Sequence, residues 1–240
     1  MIKKAMNDIK IMSFNTQHCE NFLTHKIDFS FFADVIRKCN ADIVGLQEMR
    51  NKGISADYEN QLEELSRLSE LGYYYFAKAF DVDGKNPYGN GILSRIPIVS
   101  AETVLIPEPD PRGYDGYYEQ RCLLKAKLEN GLTVIVTHFG LNPDELENAV
   151  KTVLENLEDE KCVLMGDFNA CPENPLLLPI RERMKDTADM FDVPKFSFPS
   201  DNPTMKIDYI FVSKDIEMVS ADIPARVVSD HRPYVAKIGF

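Results

Sequence analysis

Short apolar runs alternate with polar punctuation along most of the chain. Eight of them read as strands: 9–15, 41–48, 91–100, 122–128, 132–138, 161–167, 207–213 and 234–240, rich in Ile, Val and Leu and bounded by Gly, Asn, Asp or Pro. Asn130 and Gly131, between two of these runs, predict a tight hairpin. Three windows carry helical periodicity instead. Residues 29–39 place Phe32, Val35, Ile36 and Cys39 on one face, and residues 58–71 place Tyr58, Leu62, Leu65 and Leu68 likewise, with Gly72 as the C-cap. A third helix over 143–157 opens on Asn142 as N-cap, Pro143 in the first turn and Glu145 as the capping-box partner, and its apolar stripe is Leu146, Ala149, Val150, Val153 and Leu157. Hairpin neighbours mixed with crossover helices predict an α/β four-layer sandwich, with two stacked, mainly antiparallel β-sheets flanked by helices. No repeat, low-complexity run or Gly/Ser linker interrupts the pattern, so one domain over 1–240 is expected.

Charge and cysteine usage narrow the classes. The 240 residues carry 38 acidic against 27 basic side chains, a net charge of −11, which argues against binding nucleic acid or anionic membrane through bulk charge. A polyanionic substrate stays open, because a bound cation reverses the sign locally. Five cysteines, Cys19, Cys39, Cys122, Cys162 and Cys171, form no C-x-x-C pair, so neither a disulfide framework nor a zinc knuckle is expected, and a reducing cytoplasm is the default. The amino terminus meets Asn7, Asp8 and Lys10 where a signal peptide needs an apolar stretch, and no window has the eighteen or so apolar residues of a membrane helix.

Several strands end on residues that a buried strand does not favour. The first ends in Asn15, the second in Glu48, and a third in His138, in register with Val134 and Val136. A fourth runs into Asp167 and Asn169, with Asp167 in register with Val163 and Met165. Asp208 opens another, and Asp230 and His231 stand just before the last. Taken singly, each is most simply a turn residue or a satisfied histidine. Together they are a chemistry: hard oxygen ligands hold Mg²⁺ or Mn²⁺, imidazoles and amides hydrogen-bond the oxygens of a phosphate as charge builds, and a free carboxylate orients or deprotonates water. Cys171 has no histidine near it in sequence and reads as a small buried residue. Asp81–Gly84 fails the calcium-loop pattern, since its glycine is fourth and position twelve is Ile92.

The set resembles the endonuclease/exonuclease/phosphatase superfamily of metal-dependent phosphoesterases. The match falls at five separated places in family order: the Phe14–Asn15 step, GLQE at 45–48, the Thr137–His138 step, GDFN at 166–169, and KIDYIFVS at 206–213 with SDHRP at 229–233. The resemblance implies Glu48 as a metal ligand, Asn15 assisting at the metal and Asp230 as a second ligand, with Mg²⁺ or Mn²⁺ as cofactor. It implies Asp167 as base or water-orienter, Asn169 beside the scissile phosphate, His138 and His231 as donors to phosphate oxygens, and Asp208 as partner of His231. Asn90, in a segment similar to the family's glycine-containing stretch, and Arg121, at the entry of a strand, are implied as substrate-binding residues; a solvated strand-end cation is an equal reading of Arg121. The mechanism implied is in-line attack of water on a phosphoester without a covalent enzyme intermediate.

The substrate is less legible. Relatives cut DNA, shorten RNA tails, dephosphorylate inositides or hydrolyse sphingomyelin, so nucleic acid, nucleotide and phospholipid head group all stay open. The absence of Trp, the Ala170-Cys171-Pro172 step after GDFN and the acidic charge demote DNA repair, and the insertion and basic contacts of the inositide branch are not found. The loop 107–118, with three tyrosines among prolines and glycines, is a candidate for stacking a base or sugar; a long hairpin with amphipathic tips is the plainer reading. No obligate protein partner is evident. The rival function, a phosphate-binding module that has lost its chemistry, is disfavoured by the intact motif set.

Overall fold

The computed structural model describes residues 8–240, and the amino-terminal stretch 1–7 lies outside it. The first half of the chain runs β1 (Ile9–Asn15), β2 (Glu20–Asn21), β3 (Lys26–Ile27), α1 (Phe29–Cys39), β4 (Ile43–Arg50), α2 (Gln61–Ser69), β5 (Tyr73–Val82), β6 (Asn86–Ser94) and β7 (Ile98–Leu105). The second runs β8 (Cys122–Leu128), β9 (Thr133–His138), α3 (Pro143–Asn156), β10 (Cys162–Asp167), α4 (Leu178–Arg183), β11 (Lys185–Asp186), β12 (Asp208–Val212), β13 (Glu217–Asp222) and β14 (Tyr234–Gly239). Two six-stranded sheets form, in the orders β13-β14-β1-β4-β6-β5 and β11-β12-β10-β9-β8-β7. Each holds one parallel pair at its centre, β1 with β4 and β9 with β10, and every other ladder is antiparallel. Both parallel pairs are joined by a crossover helix, α1 in one sheet and α3 in the other, as parallel pairing requires.

The layers follow from strand parity. Ile9, Ile11, Val134, Val136, Val163, Met165, Ile210 and Val212 fill the space between the sheets. Residues of the opposite parity, such as Met12, Phe14, Val44 and Leu46, pack under α1 and α2, and Ile135, Leu164 and Phe211 pack under α3 and α4. This is the expected four-layer sandwich. Gly45 faces the inner layer and is pressed against the other sheet: a Cβ there would lie 2.7 Å from Met165 Sδ and 2.9 Å from Val136 Cγ2.

Several boundaries move. The run 91–100 is two strands, because Ser94 turns the chain by bonding both the Ile96 amide and its carbonyl. The second helix starts at Gln61, where the Asn60 side chain accepts from the Glu63 amide, so Tyr58 packs outside it. Its C-cap is Glu70 at φ +63°, not Gly72. The third helix has the capping box expected of Asn142 and Glu145. Gly131 takes φ +87° at the hairpin between β8 and β9. Strands β5 and β13 were not expected: both lie at sheet edges and carry exposed or half-exposed positions on both faces. Among the described residues no helix is long and apolar enough to cross a membrane.

Candidate active site

At one end of the inner layer the apolar residues give way to polar ones of the same parity. Asn15 continues the face of Ile9 and Ile11, His138 that of Val134 and Val136, and Asp167 that of Val163 and Met165. Asp208 precedes Ile210 and Val212 on theirs. The two central strands β9 and β10 end side by side, with His138 opposite Asp167, and β12 runs antiparallel so that Asp208 lies opposite Asp167 on the other flank. The site is therefore the polar end of the layer that holds the sheets together.

Asp167 is its centre. Its Oδ2 accepts from Asn15 Nδ2 at 3.0 Å and faces His231 Nε2 at 3.5 Å and His138 Nε2 at 3.6 Å, while Oδ1 accepts from the Asn169 amide at 2.9 Å. Burial pushes its carboxyl well above the usual aspartate range, and the neighbouring Asp208 adds to this against the pull of His231. His231 Nδ1 meets Asp208 Oδ2 at 2.8 Å. Burial works against the imidazolium, but Asp208 and then Asp167 outweigh it and raise its pKa to about 10.

His138 differs. Burial, then Arg121 and His231, hold it well below the usual histidine value, so it is neutral. Arg121 Nη1 lies 3.0 Å from His138 Nδ1, and a guanidinium only donates, so Nδ1 is the acceptor and the proton sits on Nε2. Asn169 Nδ2, which donates to the Phe139 carbonyl, lies 3.2 Å from that Nε2. Two N–H groups thus lie side by side, an arrangement that an anionic oxygen satisfies. Asn169 reaches this place with a left-handed backbone, φ +47°.

Glu48 owes its position to a β-bulge. Leu46 pairs with Gly91 but Met49 pairs with Gly89, so Gln47 and Glu48 together oppose Asn90, and Glu48 takes φ +60°. Simple alternation would put Glu48 with Val44 and Leu46 under the helices. Instead Met49 takes that place, and Glu48 turns to the mouth, where Oε1 accepts from Asn15 Nδ2 at 2.9 Å. Asn15 is fixed in turn: its Oδ1 accepts from the Gln17 amide at 3.1 Å, at the head of a turn in which Gln17, His18 and Cys19 all have positive φ. Such backbone costs about 1–3 kcal/mol per residue and gathers at functional sites.

The structure brings together Asn15, Glu48, His138, Asp167, Asn169, Asp208 and His231 by direct contacts. Asp230 is near enough to Glu48 to raise its carboxyl further, after burial. Arg121 is not a solvated strand-end cation: it is nearly buried and bridges His138 and Glu119, at 2.8 Å from Glu119 Oε1. Asn90 is buried beside the site, donating to the Cys122 carbonyl at 2.9 Å and lining one small cavity with Tyr88, Glu119, Arg121 and His138. Sequence reasoning missed Glu119 and Tyr88. Tyr88 interacts with Glu48, and its hydroxyl is held protonated first by burial and then by that carboxylate. Its place two residues before Asn90, in the stretch Tyr88-Gly89-Asn90-Gly91, was the available signal. Gln47, in register with Asn15, is fully buried with neither amide atom paired.

The donor set suits a hard cation. Glu48 lies near the Asp230 carboxylate, and atoms of Asp167, Asp208 and His231 lie within 4.8 Å of one another, so four carboxylates gather with only the His231 imidazolium among them. Asp208 Oδ1 is buried without a hydrogen-bond partner, and no cysteine belongs to the set. Glu48→Gln is expected to weaken Mn²⁺ binding roughly tenfold or more by calorimetric titration while leaving the fold intact, since an amide offers a dipole in place of a charge. Equal affinity in the two proteins rules Glu48 out as a ligand.

Solved structures share this architecture. The endonuclease/exonuclease/phosphatase from Beutenbergia cavernae superposes with a TM-score of 0.77 at 21% identity, over 97% of this chain and 72% of that one. The family protein from Bacteroides vulgatus gives 0.75 at 21% identity, over 97% and 98% of the two chains. The mannosyl-6-phosphatase of Bacteroides thetaiotaomicron gives 0.74 at 17% identity, over 97% and 100%. At these identities the likeness is one of fold. No curated protein sequence matches the chain. The sequence model of the Endonuclease/Exonuclease/phosphatase family, whose members are typically phosphoesterases and generally depend on divalent metal, matches residues 12–231, and the chain belongs to that family.

Proposed function

We propose that the protein is a metal-dependent phosphoesterase that hydrolyses a phosphomonoester or phosphodiester by in-line attack of an activated water. The observation that carries this reading is the convergence of Asn15, His138 and His231 on one oxygen of Asp167, from strands and a loop far apart in sequence.

Each residue has a separate task. Asp167, whose burial raises its carboxyl toward neutrality, takes the proton from the attacking water. His231, held protonated by Asp208, and neutral His138, with its proton on Nε2, present two donors to the phosphate oxygens that gain charge in the transition state. Asn169 adds an amide donor beside His138, and Asn15 keeps Asp167 and Glu48 in fixed relation. Glu48, Asp230 and Asn15 would hold Mg²⁺ or Mn²⁺, which supplies charge neutralisation at the leaving oxygen. The test is phosphate release from phosphomonoesters, phosphodiesters, DNA, RNA and lipid head groups in Mg²⁺ or Mn²⁺. Turnover of at least one class is expected, and none from any ester with the fold intact would favour the binding-module reading.

A further inference from the structure

The connection 106–121 between β7 and β8 is long, yet it is tied down along its length to the start of α3. The Gly113 amide donates to Asp144 Oδ2 at 2.9 Å, Tyr118 Oη donates to the same carboxylate at 2.8 Å, and Asn142 Nδ2 donates to the Tyr117 carbonyl at 2.8 Å. Asn148 Nδ2 holds the Pro107 carbonyl at 2.9 Å. Gly116 is pressed against Asn142 so closely that a Cβ would lie 2.0 Å from its Oδ1. Arg112 stacks over Tyr118 at 4.7 Å. The loop is thus preorganised, and it spends that order on holding two tyrosines outward: Tyr114 is 52% and Tyr117 64% exposed.

Tyr117 is wired to the site. Its hydroxyl donates to Glu119 Oε2 at 2.9 Å, Glu119 Oε1 pairs with Arg121 Nη1 at 2.8 Å, and Arg121 Nη1 reaches His138 Nδ1 at 3.0 Å. The aromatic surface is therefore joined to the site by a chain of three hydrogen bonds, and an exposed aromatic face can stack either a sugar or a base. The charge around it decides between those two. Asp110 and Asp115 have no ion-pair partner among the described residues, Glu108 is matched by Arg112, and Arg121 is already engaged by Glu119. A rim with spare carboxylates and no spare cation repels a polyanionic strand, whose binding rests on cations tracking its backbone. It suits a neutral polyol. A pyranose presents a C–H face to an aromatic ring, and its hydroxyls donate to carboxylates, which only accept.

Resting on the phosphoesterase reading, we infer that Tyr114, Tyr117 and the carboxylates of this loop form a subsite for the sugar ring of a glycosyl phosphate ester, outside the phosphate-binding groups. The full chain in Mg²⁺ is titrated calorimetrically with a hexose 6-phosphate, inorganic phosphate and a single-stranded hexanucleotide. The hexose phosphate is expected to bind about tenfold more tightly than phosphate. In the Y114A/Y117A variant that gain is lost while phosphate affinity is unchanged, and Tyr117→Phe, which keeps the ring, retains most of it. Equal binding of hexose phosphate and phosphate overturns the subsite, as does a tyrosine-dependent preference for the hexanucleotide. Sugar-dependent binding without release of phosphate from any ester would instead strike at the catalytic reading alone.

Discussion

Chelation with EDTA is expected to abolish phosphate release and to lower the melting temperature, and Mg²⁺ or Mn²⁺ to restore both. The reason lies in how many carboxylates the sheets force together. Glu48, Asp167, Asp208 and Asp230 meet at one mouth, and burial together with mutual repulsion raises the carboxyls of Glu48 and Asp167. A divalent cation that binds only the folded state relieves that repulsion and adds stability by mass action, about 2.7 kcal/mol at a hundredfold excess over its Kd. The melting temperature reads the site even for a substrate not yet found. Full turnover in excess chelator, with an unmoved melting curve, sinks the metal assignment.

The second large effect belongs to His231 and Asp208. Either His231→Ala or Asp208→Asn is expected to cut kcat by roughly 10²-fold or more, the scale of one lost transition-state donor. The double variant should be little worse than the worse single, because the carboxylate acts through the imidazole. Multiplicative losses would separate the two residues, and unchanged kcat on folded-fraction-corrected protein would remove both from the site. The pH dependence of stability gives an independent reading. His231 has a folded pKa of about 10 against an ordinary 6.5, so the stability it contributes is complete below about pH 6.5 and is lost as pH rises through about 10. In the Asp208→Asn protein this alkaline loss should shift to lower pH, a change that simple loosening of the strand would not produce.

Much of this site is legible in sequence because it lies on strand parity. His138 and Asp167 are the next inward positions after Val136 and Met165, and Asn15 is the second inward position after Ile11, with Ser13 between. What parity hides is what backbone irregularity makes. Alternation assigns Glu48 to the helix side, and only the bulge at Gln47 and Glu48, which no glycine announces, turns it to the mouth. Arg121 and Glu119 stand just before β8, where sequence alone does not say which way a side chain faces. Strand β5 was missed because its aromatic run Tyr73–Phe76 has no polar alternation, and β13 because an edge strand can afford exposed positions on both faces.

Gly45 gives the division of labour between the sheets a further meaning. Asn15 and Glu48 ride on one sheet, and His138, Asp167 and Asp208 on the other. Under the proposed function the reacting groups face each other across a gap whose width is set by ordinary side chains with no chemistry of their own. Gly45 lies in that gap, two positions before Gln47, with Met165 and Val136 closing on the space a Cβ would need. The hydrophobic layer is in this sense the jig in which the catalyst is assembled. Its tolerance is small, because a misplacement of about 1 Å between reacting groups costs on the order of 10²-fold in rate. Apolar packing between the sheets is thus under the same constraint as the polar residues at its end, and a methyl group buried there is as much a part of the site's geometry as an imidazole.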